Sequence, residues 1–167
     1  MRIIITGTPG TGKSTLALLL GKKLGCKVVN ERDFCRKRKI GRFDRRLQEL
    51  IVPLGRMQKE MNKLLAREKN IILEGHLLCE ARLNSDIVIL LRTSPDLLEE
   101  RLRSRRYPEF KIQDNVLCEG IDYCKKHLLK KHQGKKIFEV KNEKAAGKAL
   151  GKILKIINEK KKAQERA

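Results

Sequence analysis

Eight residues near the start of the chain have the types and spacing to hold a polyphosphate: Gly7-Thr8-Pro9-Gly10-Thr11-Gly12-Lys13-Ser14. Gly7, Gly12, Lys13 and Ser14 meet the pattern G-x-x-x-x-G-K-[ST]. Glycines at these places let consecutive backbone N–H groups turn inward around phosphate oxygens. A helix starting at the end of the loop adds partial positive charge there. A lysine in this place reaches the β- and γ-phosphates, and the hydroxyl after it ligates magnesium. A glycine-rich turn with a surface lysine can give the same letters by chance. The flanks favour the chemical reading: the apolar run Arg2 to Thr6 precedes the loop and an aliphatic helical run, Ser14 to Leu24, follows it. The loop implies a nucleoside triphosphate, ATP with Mg2+.

Two further groups can act on the same phosphates. Ile71-Ile72-Leu73 reads as a strand that delivers Glu74 to the carboxyl end of the sheet, where open α/β folds bind ligands. A carboxylate there holds a magnesium-bound water or orients an attacking one, and His76 can join that network. Taken alone, the pair would be a strand-end acid and a surface histidine; the phosphate loop beside them favours function. Arg101, Arg103, Arg105 and Arg106 come before a short loop with Tyr107 and Pro108. Guanidinium forks match phosphate oxygens and spread charge in a transition state. Arg101 and Arg105 share a helical face, which is equally compatible with a solvated basic surface.

The elements that must position these groups alternate between strand and helix. Strands are predicted at Arg2 to Thr6, Cys26 to Val29, Asn70 to Leu73, Asp86 to Leu91 and Lys136 to Val140. Gly25 ends the first helix, and Asn30 caps a basic one over Glu31 to Lys39. Leu47, Leu50, Ile51 and Leu54 fall at helical spacing, so Phe43 to Glu68 is predicted mainly helical, kinked or interrupted at Pro53. Pro95 starts a helix to about Arg105. Arg106 to Phe110 is predicted to be a loop. Asp114 is expected to cap a helix to about Lys131, and a last helix spans Glu143 to Lys160. The pattern predicts an α/β fold in three layers: one five-stranded parallel sheet with helices on both faces.

Composition bounds the function classes. The 167 residues carry 40 Lys+Arg against 20 Asp+Glu, a net charge of +20. That excess is too one-sided for ion pairing and favours a surrounding rich in polyanions, nucleic acid above all. Aromatic residues make up only 4 %, so the core must be aliphatic. The five cysteines are odd in number and lack CxxC spacing, which suggests neither a disulfide framework nor a zinc site. They read as reduced thiols of a cytoplasmic protein. No segment has the length of a membrane span, and the first apolar run leads straight into the phosphate loop rather than forming a signal peptide.

With these landmarks placed, the chain resembles the P-loop nucleoside monophosphate kinases. More narrowly, it is similar to the atypical adenylate-kinase family of archaea and eukaryotic nuclei, which acts in small-ribosomal-subunit maturation. The resemblance rests on T-G-T-P-G-T-G-K-S at Thr6 to Ser14, E-G-H at Glu74 to His76 and V-I-L-L-R-T at Val88 to Thr93. It also rests on R-L-R-S-R-R-Y-P-E-F-K-I-Q-D-N-V-L-C-E at Arg101 to Glu119. It implies a single P-loop kinase domain over 1–167, with a helical monophosphate-binding insertion at 30–53, a short lid at 104–114 and a basic tail at 159–167 that frays. It places ATP on Gly10, Gly12, Lys13, Ser14, Thr15 and the lid arginine, Arg105. It makes Lys13, Glu74, His76 and Arg105 catalytic, Ser14 and Glu74 the magnesium ligands, and Asp33 and Arg36 the AMP-binding pair. It further implies a ribosomal protein of the small-subunit platform as a partner, with rRNA close by. The sequence departs from that family at Lys37 to Arg46, basic where relatives are acidic and tyrosine-containing, and at Arg106, where a small residue such as glycine is expected.

Three functions follow as expectations. An adenylate kinase moves the γ-phosphate of ATP to AMP. An ATPase switch gives it to water, oriented by Glu74 and His76, and reports nucleotide state to a ribosomal protein or RNA. A third possibility is a kinase for another small acceptor or a polynucleotide end.

Overall fold

The computed structural model describes residues 1–132, 137–143 and 145–165. The expected strand start at Lys136, Lys144 and the last two residues of the tail lie outside the described residues. In chain order the elements are β1 (Arg2–Thr6), α1 (Lys13–Leu24), β2 (Lys27–Asn30), α2 (Glu31–Lys37), β3 (Arg42–Asp44) and β4 (Glu49–Ile51). They continue as α3 (Leu54–Arg67), β5 (Ile71–Glu74), a 3-10 turn (Leu77–Cys79), β6 (Ile87–Arg92) and α4 (Pro95–Ser104). Last come α5 (Glu109–Gly120), α6 (Tyr123–Lys131), β7 (Ile137–Lys141) and α7 (Ala146–Glu165).

Five strands form one sheet in the order β2-β5-β1-β6-β7, and every neighbouring pair is parallel. Its apolar runs are continuous because both faces are covered. Ile3, Ile5, Ile72 and Ile89 meet Leu16 and Leu20 of α1 and Ile153 and Ile157 of α7. The alternate residues Ile4, Ile71, Leu73 and Val88 meet Phe34 of α2, Met57 and Met61 of α3 and Leu128 of α6. The expected three-layer α/β architecture is therefore present, and all carboxyl ends of the strands share one edge. A smaller cluster, Leu98, Leu102 and Ile112, joins α4 to α5.

Three boundaries differ from expectation. The helix expected over Phe43 to Glu68 starts only at Leu54; before it stands an antiparallel hairpin of β3 and β4. Asp44 Oδ1 accepts from the backbone N–H groups of Arg46 and Leu47 at 2.9 and 3.0 Å, closing a turn that competes with helix. Gly41, at φ +93°, lets the chain approach Ile51, where a Cβ would lie 2.3 Å from its carbonyl oxygen. Leu50 packs inward while Leu47 and Ile51 stay exposed, so the helical spacing here was coincidental. Pro53 stands at the N-cap of α3 and starts that helix rather than kinking it. The segment 30–53, expected as a helical insertion, is thus a helix plus a hairpin.

The second difference is at the segment expected to be a lid. Pro108 starts α5 at once, so Asp114 lies inside a helix and caps nothing. The irregular part of 104–114 shrinks to 105–108. Asp122, in the left-handed region at φ 59°, then separates α5 from α6 where one helix was expected. The third is the last helix: α7 runs to Glu165, where its end was expected at Lys160.

Candidate active site

β1 ends at Thr6 and the chain turns directly into the phosphate loop. Gly10 and Gly12 have φ of +95° and +93°, a left-handed backbone that other residues resist. Space forbids a side chain as well: a Cβ on Gly12 would lie 2.4 Å from Asn142 Nδ2. Lys13 is only 9 % exposed, and its Nζ donates to the Thr8 carbonyl across the loop at 3.0 Å. Burial draws its pKa down, against the pull of the Glu74 carboxylate. A desolvated cation so held acts strongly on charge placed beside it.

Glu74 ends β5 and is 3 % exposed. Its Oε1 accepts from Ser14 Oγ at 3.0 Å and from Asn30 Nδ2, because Asn30 is its register partner at the end of β2. Asn30 also caps α2 by accepting from the Asp33 N–H at 3.0 Å. A hydroxyl and a carboxylate of this kind are hard oxygen donors, and they fit magnesium. Thr15 is exposed beside Ser14 in the first turn of α1. His76 is half-buried, with Nδ1 3.2 Å from the Gly7 carbonyl oxygen and 3.7 Å from Cys124 Sγ.

Behind the loop stands a brace that sequence reasoning missed. Glu119, 2 % exposed, accepts from the Thr8 hydroxyl, from Arg92 Nε at 2.7 Å and from the Thr93 N–H at 3.1 Å. Asn142 Nδ2 donates to the Thr11 carbonyl at 2.8 Å, and Arg101 donates to the Asn142 carbonyl at 2.8 Å. The loop is therefore held from β6, α4, α5 and the end of β7. Glu119 stood at the end of the quoted run Arg101 to Glu119 without a role, and nothing in the sequence set it apart from the other charged residues of α5, Glu109, Lys111 and Asp114. Asn142 gave no signal either.

A cavity of about 410 Å³ adjoins the loop. Pro9, Arg32, Leu50, His76, Tyr107 and Lys111 are among its walls, so it lies between the phosphate loop, α2 with the hairpin, and the start of α5. Lys111 of α5 closes one side by pairing with Glu49 of the hairpin at 3.0 Å. Glu31 also lines it, and burial raises this carboxyl to about 7 despite His76 and Lys13 nearby. Its Oε2 has no hydrogen-bond partner among the described residues.

The structure brings Gly10, Gly12, Lys13, Ser14, Glu74 and His76 together. Asp33 and Arg36 are exposed on α2 and do not line the cavity; Asp33 faces a separate groove with Asn30, Phe34 and Lys37. Arg32, one turn before Arg36, lines it instead. Arg105 is exposed at the C-cap of α4 and is not among the cavity walls either.

A family profile described as AAA domain matches residues 3–122. A Pyrococcus furiosus protein named "Putative adenylate kinase" is 38 % identical over 159 residues, which cover 95 % of this chain and 84 % of that one. A Methanocaldococcus jannaschii protein of the same name is 36 % identical over 125 residues, 74 % of this chain and 70 % of that one. Among solved structures, a shikimate kinase from Aquifex aeolicus superposes with a TM-score of 0.61 at 21 % identity, covering 95 % of this chain and 96 % of that one. A deoxyadenosine kinase from M. mycoides does so with a TM-score of 0.62 at 20 % identity, covering 95 % and 100 %. At that identity these two structures speak to the fold.

Proposed function

The chain belongs to the P-loop kinase family that carries this AAA domain and includes the archaeal relatives above, and from that premise we propose that it transfers the γ-phosphate of ATP to AMP. The observation that carries the reading is the cavity beside the phosphate loop. It shares Pro9 with the loop that holds Lys13, and its polar walls include Arg32, Glu31 and Lys111. A monophosphate in it would sit next to the donor phosphates, with Arg32 as a guanidinium partner. Asp33 and Arg36 remain the outer acceptor contacts in this reading, and Arg105 the lid arginine that folds in when nucleotide binds.

AMP is already an anion, so the reaction needs no general base; positioning and positive charge do most of the work. The buried Lys13 ammonium neutralises charge developing on the transferred group. It leaves the Thr8 carbonyl to do so. Glu119 and Asn142 keep the loop from shifting as Lys13 changes partner. The N-terminal end of α1 adds its partial charge at the same point. Magnesium, when bound, would supply further charge compensation on the donor phosphates, and Ser14 and Glu74 are the residues that would hold it. A panel of AMP, CMP, GMP, shikimate and 5′-hydroxyl RNA with γ-labelled ATP tests the assignment. AMP is expected to take most label; preference for any other member would replace it as acceptor.

A second reading is supported by the hairpin surface. Arg36, Lys37, Arg38, Lys39, Arg42, Arg45 and Arg46 are all exposed on the stretch that runs from the end of α2 into the hairpin. Such a patch suits RNA, and the resemblance would make that rRNA with a platform ribosomal protein, in the cytoplasm. Here water replaces AMP, Glu74 and His76 orient it, and the lid signals nucleotide state. RNA affinity that falls steeply with salt supports this reading; recovery of neither RNA nor ribosomal protein at low salt in any nucleotide state opposes it.

A further inference from the structure

We propose that His76, Cys79 and Cys124 form a binding site for one soft divalent cation, Zn2+, beneath the phosphate loop. One donor atom from each of the three lies within 4.8 Å of the others. The edge between Cys124 Sγ and His76 Nδ1 is 3.7 Å. Tetrahedral zinc, with Zn–S of about 2.3 Å and Zn–N of about 2.0 Å, separates such a pair by about 3.5 Å. That edge needs almost no movement to accept the ion.

The donors suit zinc and not the magnesium of the neighbouring site. Two sulfurs and an imidazole are soft ligands, whereas Ser14 and Glu74 offer hard oxygens. The charge also balances. Two thiolates cancel a divalent cation, so the ion adds no net charge near the buried Lys13. Cys79 is 0 % and Cys124 3 % exposed, and both sit in the apolar core, so their thiolates have no water to stabilise them. A metal supplies that stabilisation. His76 and Cys118 border the cavity, which can provide a water as the fourth ligand. Three protein ligands with one exchangeable position is the arrangement of zinc sites that keep an open place.

Sequence spacing hides the set. His76 and Cys79 are three apart and meet through the 3-10 turn, but Cys124 arrives from the first turn of α6, packed against that turn. The cation would therefore tie α6 to the end of β5. It would also compete with the loop, since Nδ1 cannot ligate metal and donate to the Gly7 carbonyl at once. Occupancy then releases Gly7 from His76, which links metal to the phosphate loop.

The test uses the full, reduced, metal-free chain titrated with Co2+ and then Zn2+, without nucleotide, so its outcome is separate from the transferase reading. One equivalent of Co2+ is expected to give a thiolate-to-cobalt charge-transfer band and tetrahedral visible bands, which Zn2+ removes. Cys79→Ser and Cys124→Ser should each weaken Zn2+ binding by about 100-fold or more, while Cys26→Ser leaves it unchanged. Circular dichroism checks that the variants fold, and the wild-type spectrum stands without them. Octahedral cobalt bands alone, or equal weakening in folded Cys26→Ser, would overturn the site.

Discussion

Replacing Glu31 by Gln should make the protein more stable, and by an amount that depends on pH. Glu31 is 7 % exposed, and one of its oxygens has no hydrogen-bond partner among the described residues. Burial raises its pKa from 4.5 to about 7; His76, Lys13 and the Leu77 and Leu78 amides favour the charge but do not offset burial. At about 1.4 kcal/mol for each tenfold change in proton affinity, ionising it in the folded state costs about 3 kcal/mol. The sign follows from proton binding. Between pH 4.5 and 7 the folded chain keeps a proton that the unfolded chain has lost. The stability this proton confers is fully present below the unfolded pKa and is lost as pH rises through the folded one. Gln cannot lose it, and its amide keeps nearly the same shape. Urea unfolding of ligand-free wild type and Glu31→Gln across acid to mildly alkaline pH measures the difference. It should be small at the acid end and level off at about 3 kcal/mol above the folded pKa. Stability curves that stay parallel across the range would refute the reasoning.

Other substitutions probe the loop and its brace. Lys13→Met should cut γ-phosphate transfer by roughly 100-fold or more at saturating Mg-ATP while leaving the far-ultraviolet circular dichroism unchanged. Glu119→Gln removes the charge that Arg92 and Thr8 share, and chemical denaturation should show a loss of about 2 kcal/mol. Gly12→Ala must take φ +93° with its Cβ against Asn142, so calorimetry with a non-hydrolysable ATP analogue should show binding weakened by about tenfold or more.

The donor half of the site was legible because its chemistry is local. Gly7 to Ser14 form one continuous segment between a strand and a helix, and Glu74 needs only a strand in front of it to reach the same edge. The proposed acceptor half is assembled from distant pieces. Leu47, Leu50 and Ile51 fit helical spacing as well as they fit a hairpin, and the Asx turn at Asp44 decided between them. Arg32 rather than Arg36 reaches the cavity because the pitch of α2 and the angle at Asn30 set which turn faces it. Glu119, Asn142 and Cys124 act through long-range contacts, and nothing in a linear spacing announces those. The cysteines show this most clearly: no pair has metal-ligand spacing, yet the fold gathers two of them around His76.

Where the label of γ-labelled ATP goes tests the central claim most directly. With Mg-ATP and AMP present, the account predicts that most of it appears as the β-phosphate of newly formed ADP, and that omitting AMP stops this product. Label released only as inorganic phosphate, at a rate AMP does not change, would contradict it.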